Sequence, residues 1–366
     1  MQTPDPNETR LQKRRELAAN SRHLAGAGPA HAALELERIA ACLRANELRP
    51  DVYGTGAVVE EFEREVAALL GKEAARFMPS GCMAQPIALR IWAERAKNFH
   101  VAFHATSHLE LHEERGYAEL HGLEAHLLGD AMRPTLARDL EGLPPISTLL
   151  VELPAREIGG QMPSWDELVE LTDAARARGF RLHLDGARLW EAQVGYGRPL
   201  TEICALFDSV YVSFYKGIGA LAGAMLLGPA DFVAEATVWQ RRQGGTLYSA
   251  LANIVSAKTR LTERLARLPR YHERAREVAA LFAATPGVRV LPEVPQVNMF
   301  HVFLTGEKEA LELARDRVAE GHGIWLFHGL RPDGETQRYE LTIGESALSI
   351  PDDELAAALA ALMASA

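Results

Sequence analysis

The sequence predicts an α/β fold, with a large domain on a mostly parallel sheet and a smaller C-terminal α+β domain. Three observations carry that expectation. Short apolar runs at 75–78, 101–104, 148–153, 181–185, 210–213 and 224–227 alternate with amphipathic segments, the pattern of βαβ units around a covered sheet. One unit is legible in full: Ser164 and Glu167 form a capping box, Leu168, Leu171 and Ala175 an apolar stripe, Gly179 a stop, and 181–185 the strand that follows. Past about residue 250 the pattern becomes a long helical stretch, then candidate strands at 288–291, 298–304, 324–327 and 339–343. A last helix opens near Pro351 and places Leu355, Leu359 and Leu362 on one face.

The remaining elements follow in order. Residues 1–16 are polar, charged and proline-containing, which predicts no fixed structure of their own. Leu36, Ile39 and Leu43 recur at helical spacing; after an irregular stretch at 49–55 come Val59, Phe62, Val66 and Leu70, stopped by Gly71. With 366 residues, 48% of them hydrophobic, the chain exceeds what one core serves, since single cores stop growing beyond roughly 250 to 300 residues. The expected division is an N-terminal arm and helix at 1–50, a large domain at 51–250 and a small one at 251–366.

A formal net charge of -10 disfavours nucleic-acid partners, which require a basic stripe to replace counterions. A small-molecule partner is the better expectation. Cys42, Cys82 and Cys204 lie far apart, with neither metal-ligand spacing nor a disulfide framework, which fits a reducing cytoplasm and predicts no metal site. The N-terminus has no apolar signal core, and no stretch reaches the roughly 18 apolar residues of a membrane span.

Four segments carry chemistry. His183-Leu-Asp185-Gly-Ala-Arg188 puts a carboxylate and a guanidinium at the carboxyl end of a buried strand, where open α/β sheets bind ligands; a charged loop pairing Asp185 with Arg188 is the alternative. In 208–228 a strand runs into Lys216 and the small residues Gly217, Gly219 and Ala220. An amine desolvated there has a depressed pKa and can attack a carbonyl, whereas an isolated lysine would read as a surface residue. Asp185 and Lys216 end neighbouring strands, and together they match what pyridoxal phosphate needs: an amine for its aldehyde and an acid facing its pyridine nitrogen. Ser80-Gly81-Cys82 follows a strand and opens a helix, so its backbone N–H groups suit a phosphate. Cys82 could be a nucleophile, but the turn explains it without reactivity. Finally, His108, in the run Ser107 to Gly116 after another strand, is placed to stack on a cofactor ring or exchange protons; a loop histidine satisfied by backbone is the alternative.

Together these segments resemble the low-specificity L-threonine aldolases and their β-eliminating lyase relatives, from about Val52 to Ala364. Val52-Tyr53-Gly54, Gly71-Lys-Glu-Ala74, Pro79-Ser80-Gly81, the spacing of His108, Glu113 and Gly116, the 183–188 motif and Lys216-Gly217-Ile-Gly219 carry the likeness. The resemblance implies a fold type I pyridoxal-phosphate enzyme with a seven-stranded, mostly parallel sheet, forming a homodimer or homotetramer. It implies that Lys216 carries the cofactor as a Schiff base, Asp185 holds the pyridinium and His108 stacks on the ring. Ser80, Gly81 and Cys82 would cradle the phosphate, and Arg188 and Arg338 would hold the substrate carboxylate as planar forks.

The chain also departs from that family. Its N-terminal Arg-Ser-Asp-Thr stretch is replaced near 22–29 by RHLAGAGP; Leu153-Pro-Ala-Arg156 stands where Asn-Thr-His-Asn is common; Tyr248 follows Gly244-Gly245-Thr-Leu in place of an arginine. The implied reaction is cleavage of a threonine-like β-hydroxy-α-amino acid to glycine and an aldehyde, with His108 as base. β-Elimination, racemisation or transamination on the same cofactor, and non-catalytic amino-acid binding, are the alternatives.

Overall fold

The computed structural model describes residues 6–26 and 32–365. The chain divides into two compact units, one spanning Ala32–Arg267 and the other joining the N-terminal residues to Leu268–Ala366.

The larger unit is built on a seven-stranded sheet: β1 (Ala74–Met78), β2 (His100–His104), β3 (Glu124–Leu128), β4 (Thr148–Glu152), β5 (Arg181–Gly186), β6 (Ser209–Ser213) and β7 (Ala224–Gly228). Their spatial order is β1-β7-β6-β5-β4-β2-β3. β2, β3, β4, β5 and β6 pair in parallel, and β7 alone runs antiparallel, between β6 and β1. The mostly parallel sheet is as expected. One strand escaped the sequence reading: β3, with residues EAHLL, pairs only with β2 at the sheet edge and is half exposed. It therefore lacks the continuous apolar run of strands covered on both faces.

The helix Gly81–Ala96 lies against one face of this sheet, its Ala84, Ile87, Ala88 and Ile91 packing with Met78, Tyr211 and Leu226. The helix Ala57–Leu70 buries Val59, Phe62, Val66 and Leu70 and ends at Gly71 with φ of 65°, a conformation that favours glycine. The Ser164 capping box is present on the helix Trp165–Ala177, with Ser164 N donating to Glu167 Oε2 at 2.8 Å and Glu167 N to Ser164 Oγ at 3.3 Å.

The division falls elsewhere than at residues 50 and 250. The helix Leu251–Leu265 packs on Ala32–Ala45 and Ala57–Leu70, and the buried Glu35 binds both Ser256 and Arg260, so these elements share the larger unit. The long helical stretch breaks before Leu268–Ala283, which belongs to the smaller unit. That unit carries a four-stranded antiparallel sheet that includes Met299–Thr305 and Thr336–Thr342, with the final helix Asp352–Ala364 burying Leu355, Leu359 and Leu362. A short strand, Arg22–His23, pairs in parallel with Ile324–Trp325.

The N-terminal expectation is corrected for residues 6–16, while residues 1–5 lie outside the described residues. Pro6–Asn20 is a helix. Its composition gives it no apolar stripe; contacts distant in sequence hold it instead, Arg14 pairing with Glu312 at 3.1 Å and Asp316 at 3.0 Å.

Candidate active site

Because β7 alone is reversed, the other six strands end on one edge of the sheet, the edge where open α/β sheets bind ligands. The connections leaving that edge carry Ser80 to Cys82 after β1, His108 to Glu113 after β2, Glu152 to Arg156 from β4, Asp185 to Arg188 from β5 and Lys216 after β6.

Asp185 is 1% exposed, yet its carboxylate is satisfied at both ends. Gln85 Nε2, from the helix Gly81–Ala96, donates to Oδ2 at 2.8 Å, and Ala187 N donates to Oδ1 at 3.1 Å. Asp185 stands in register with Glu152 on β4 and Tyr211 on β6, so the three side chains share a sheet face. Burial, reinforced by the charge of Asp185, pushes the Glu152 carboxyl well above the ordinary carboxylate range, while Arg156 N donates to its Oε1 at 3.0 Å.

Lys216 is half-buried, and burial lowers its pKa from the ordinary lysine value. Asp185 and Glu152 act against that shift, Arg188 and Arg156 with it, so all four charges lie near the amine. Behind the lysine the backbone is tight: a Cβ at Gly217 would lie 1.8 Å from Glu191 Oε1. Glu191 is 2% exposed, neither of its carboxylate oxygens has a hydrogen-bond partner, and burial raises its pKa.

On the neighbouring loop, His108 Nδ1 lies 2.8 Å from Glu113 Oε1. A carboxylate only accepts, so Nδ1 donates the hydrogen of this bond. The His108 and His112 rings are 5.0 Å apart, and His112 Nε2 and Arg156 Nη1 both donate to Glu157 Oε1, at 2.8 and 3.2 Å. Cys82 is close to the charges of Glu113 and Lys216; burial first, then Glu113, pushes its thiol up to about 11.

Ser80 is the N-cap of the helix Gly81–Ala96, its Oγ accepting from Met83 N at 3.3 Å. Gly81 permits a close approach: a Cβ there would lie 2.0 Å from the Tyr211 hydroxyl. Arg338 belongs to the smaller unit, on Thr336–Thr342, with its Nε 3.2 Å from Asp333 Oδ2. Sequence reasoning missed Gln85, Glu152, Glu191 and Tyr211. Gln85 had a signal, as a single amide among Ala84, Pro86, Ile87, Ala88 and Leu89; Glu191 had none, because a helix glutamate reads as solvated.

Residues 38–305 match the profile of the β-eliminating lyase family. The chain belongs to that family. Among its relatives, the aldolase VrtJ of Penicillium aethiopicum is 32% identical over 324 residues, covering 85% of this chain and 80% of that one. Low-specificity L-threonine aldolase 1 of Arabidopsis thaliana is 27% identical over 297 residues, 77% of this chain and 82% of its own. A crystal structure from Listeria monocytogenes, provisionally named an L-allo-threonine aldolase, superposes with a TM-score of 0.92 at 40% identity, covering 97% of this chain and 99% of that one.

β-Eliminating lyases and this fold are those of pyridoxal-phosphate enzymes. The residues present fit that group: a half-buried amine, a buried carboxylate with one donor on each oxygen, and a helix start that only glycine allows to press against Tyr211. Among the described residues no helix is long and apolar enough to cross a membrane, and all three cysteines are free.

Proposed function

We propose that the chain cleaves a threonine-like β-hydroxy-α-amino acid to glycine and an aldehyde. The observation that carries this reading is the meeting of Lys216, Asp185 and the His108–Glu113 pair at one sheet edge. Lys216 would hold pyridoxal phosphate, Asp185 would face its pyridine nitrogen, and Ser80, Gly81 and Cys82 at the helix start would take its phosphate. When bound, that cofactor supplies an electron sink for a bond broken at Cα.

The remaining work falls to the chain itself. Gln85 and the Ala187 N–H hold Asp185 in place, each donating to a different oxygen. Arg188 presents a planar fork suited to a substrate carboxylate, and fixing that group selects which Cα bond is broken. With its Nδ1–H on Glu113, His108 keeps Nε2 free to take the proton from the substrate hydroxyl as Cα–Cβ opens to the aldehyde. The electron pair stays on the Cα side, which takes up one proton and leaves as glycine. Burial lowers the Lys216 pKa, a shift toward the neutral amine that attacks a carbonyl. Assembly as a homodimer or homotetramer in a reducing cytoplasm belongs to the same reading.

The test is product analysis with threonine, phenylserine and serine. Aldehyde and glycine in equal amounts, lost in Lys216→Ala, support the reading; a 2-oxo acid with ammonia replaces aldol cleavage by elimination; normal turnover in Lys216→Ala removes the lysine from the chemistry.

A further inference from the structure

We propose that Cys82, His108 and Glu113 form a site for a thiophilic divalent cation of the Zn²⁺ class, and that filling it switches the enzyme off. A thiol sulfur, an imidazole nitrogen and a carboxylate oxygen from these residues all lie within 4.8 Å of one another. Zn²⁺ bonds of about 2.0–2.3 Å place tetrahedral ligand atoms roughly 3.5 Å apart, a spacing that side-chain torsions reach from here, with His108 Nδ1 and Glu113 Oε1 opening from 2.8 Å to admit the ion. Cys82 is exposed at the helix start. The Glu113 side chain, 5% exposed, is fixed by the His108 hydrogen bond and supplies the negative charge.

The donor set selects the ion. Mg²⁺ and Ca²⁺ take oxygen ligands, whereas a thiolate with an imidazole suits Zn²⁺ and its neighbours. The sequence holds no signature for such a site because one ligand follows β1 and two follow β2, at a spacing unlike that of the usual zinc motifs.

The same geometry predicts the consequence. A cation on His108 Nδ1 displaces the hydrogen now shared with Glu113, and that proton moves to Nε2; the Cys82 thiol releases its proton to solvent, and nothing is oxidised or reduced. Nε2 then carries hydrogen and no longer accepts one. The binding stands by itself, whereas the inhibition rests on His108 as the base of the proposed reaction.

Titration of the holoenzyme with ZnCl₂ against a chromophoric chelator measures the binding. One equivalent with sulfur and nitrogen in the first shell by X-ray absorption is expected, weakened at least about tenfold in Cys82→Ser and in Glu113→Gln. Co²⁺ added to the unsubstituted holoenzyme should give thiolate charge-transfer absorption, a readout that needs no variant. No binding, or affinity unchanged in both variants, overturns the site. Activity that falls as Zn²⁺ binds and returns with chelator supports the switch. One-to-one binding through Cys82 with turnover unaffected overturns the switch and tells against His108 as base, leaving the site standing.

Discussion

Gln85 Nε2 meets Asp185 Oδ2 at 2.8 Å inside the fold, both residues 2% exposed or less, so the carboxylate at the end of β5 is held by a helix that starts beside β1. A hydrogen bond to a charged group contributes about 1.5–3 kcal/mol, about tenfold to a hundredfold in an equilibrium. Replacing Gln85 with Met keeps the volume and removes the donor. Cofactor affinity should fall by about that factor, and the pH dependence of the visible absorption of the bound cofactor should move, with partial recovery in Gln85→Asn. Unchanged affinity and an unchanged spectrum would mean the amide is only packing.

Glu113→Gln leaves His108 a partner but removes the charge that favours hydrogen on Nδ1. Removal of general-base function costs about 10² to 10⁴ in rate. The expected result is a fall in kcat of about tenfold or more with KM little altered; a change confined to KM would place His108 in binding.

Glu191 predicts a pH effect on stability. Its pKa in the folded chain is raised above 4.5 by burial, so between the two values the folded state binds more protons than the unfolded one. The stability associated with this group is therefore complete below about 4.5 and is lost as pH rises through the folded value. Compared with Glu191→Gln, the unsubstituted protein should lose melting temperature as pH rises above about 4.5 through the raised folded value. Parallel curves would show that Glu191 gains a charged partner.

Ser164→Ala removes the N-cap of a helix that carries none of the candidate site residues. Stability should drop by about 1 kcal/mol, read from denaturant midpoints, with kcat unchanged. A loss of activity without a loss of stability would tie this helix to catalysis.

How much of this was legible in the sequence depends on the range of the interactions. The strands later seen as β1, β2, β4, β5, β6 and β7 were readable because covered strands are continuous apolar runs, and β3 was not because an edge strand is amphiphilic. Lys216, Asp185 and His108 could be singled out because each follows a strand and has a motif around it.

The sequence alone therefore determined the fold class and the family, and it singled out the candidate site residues, since these rest on patterns a few residues long. The tertiary structure decided what no local pattern encodes: that Gln85 supports Asp185 across 100 residues, that Cys82 meets Glu113, that Glu191 is buried without a partner behind Gly217, and that Arg14 fastens a polar N-terminal helix. The physical reason is that burial and charge pairing belong to the space around a side chain, and the chain fills that space with residues from distant segments only when the sheet has formed.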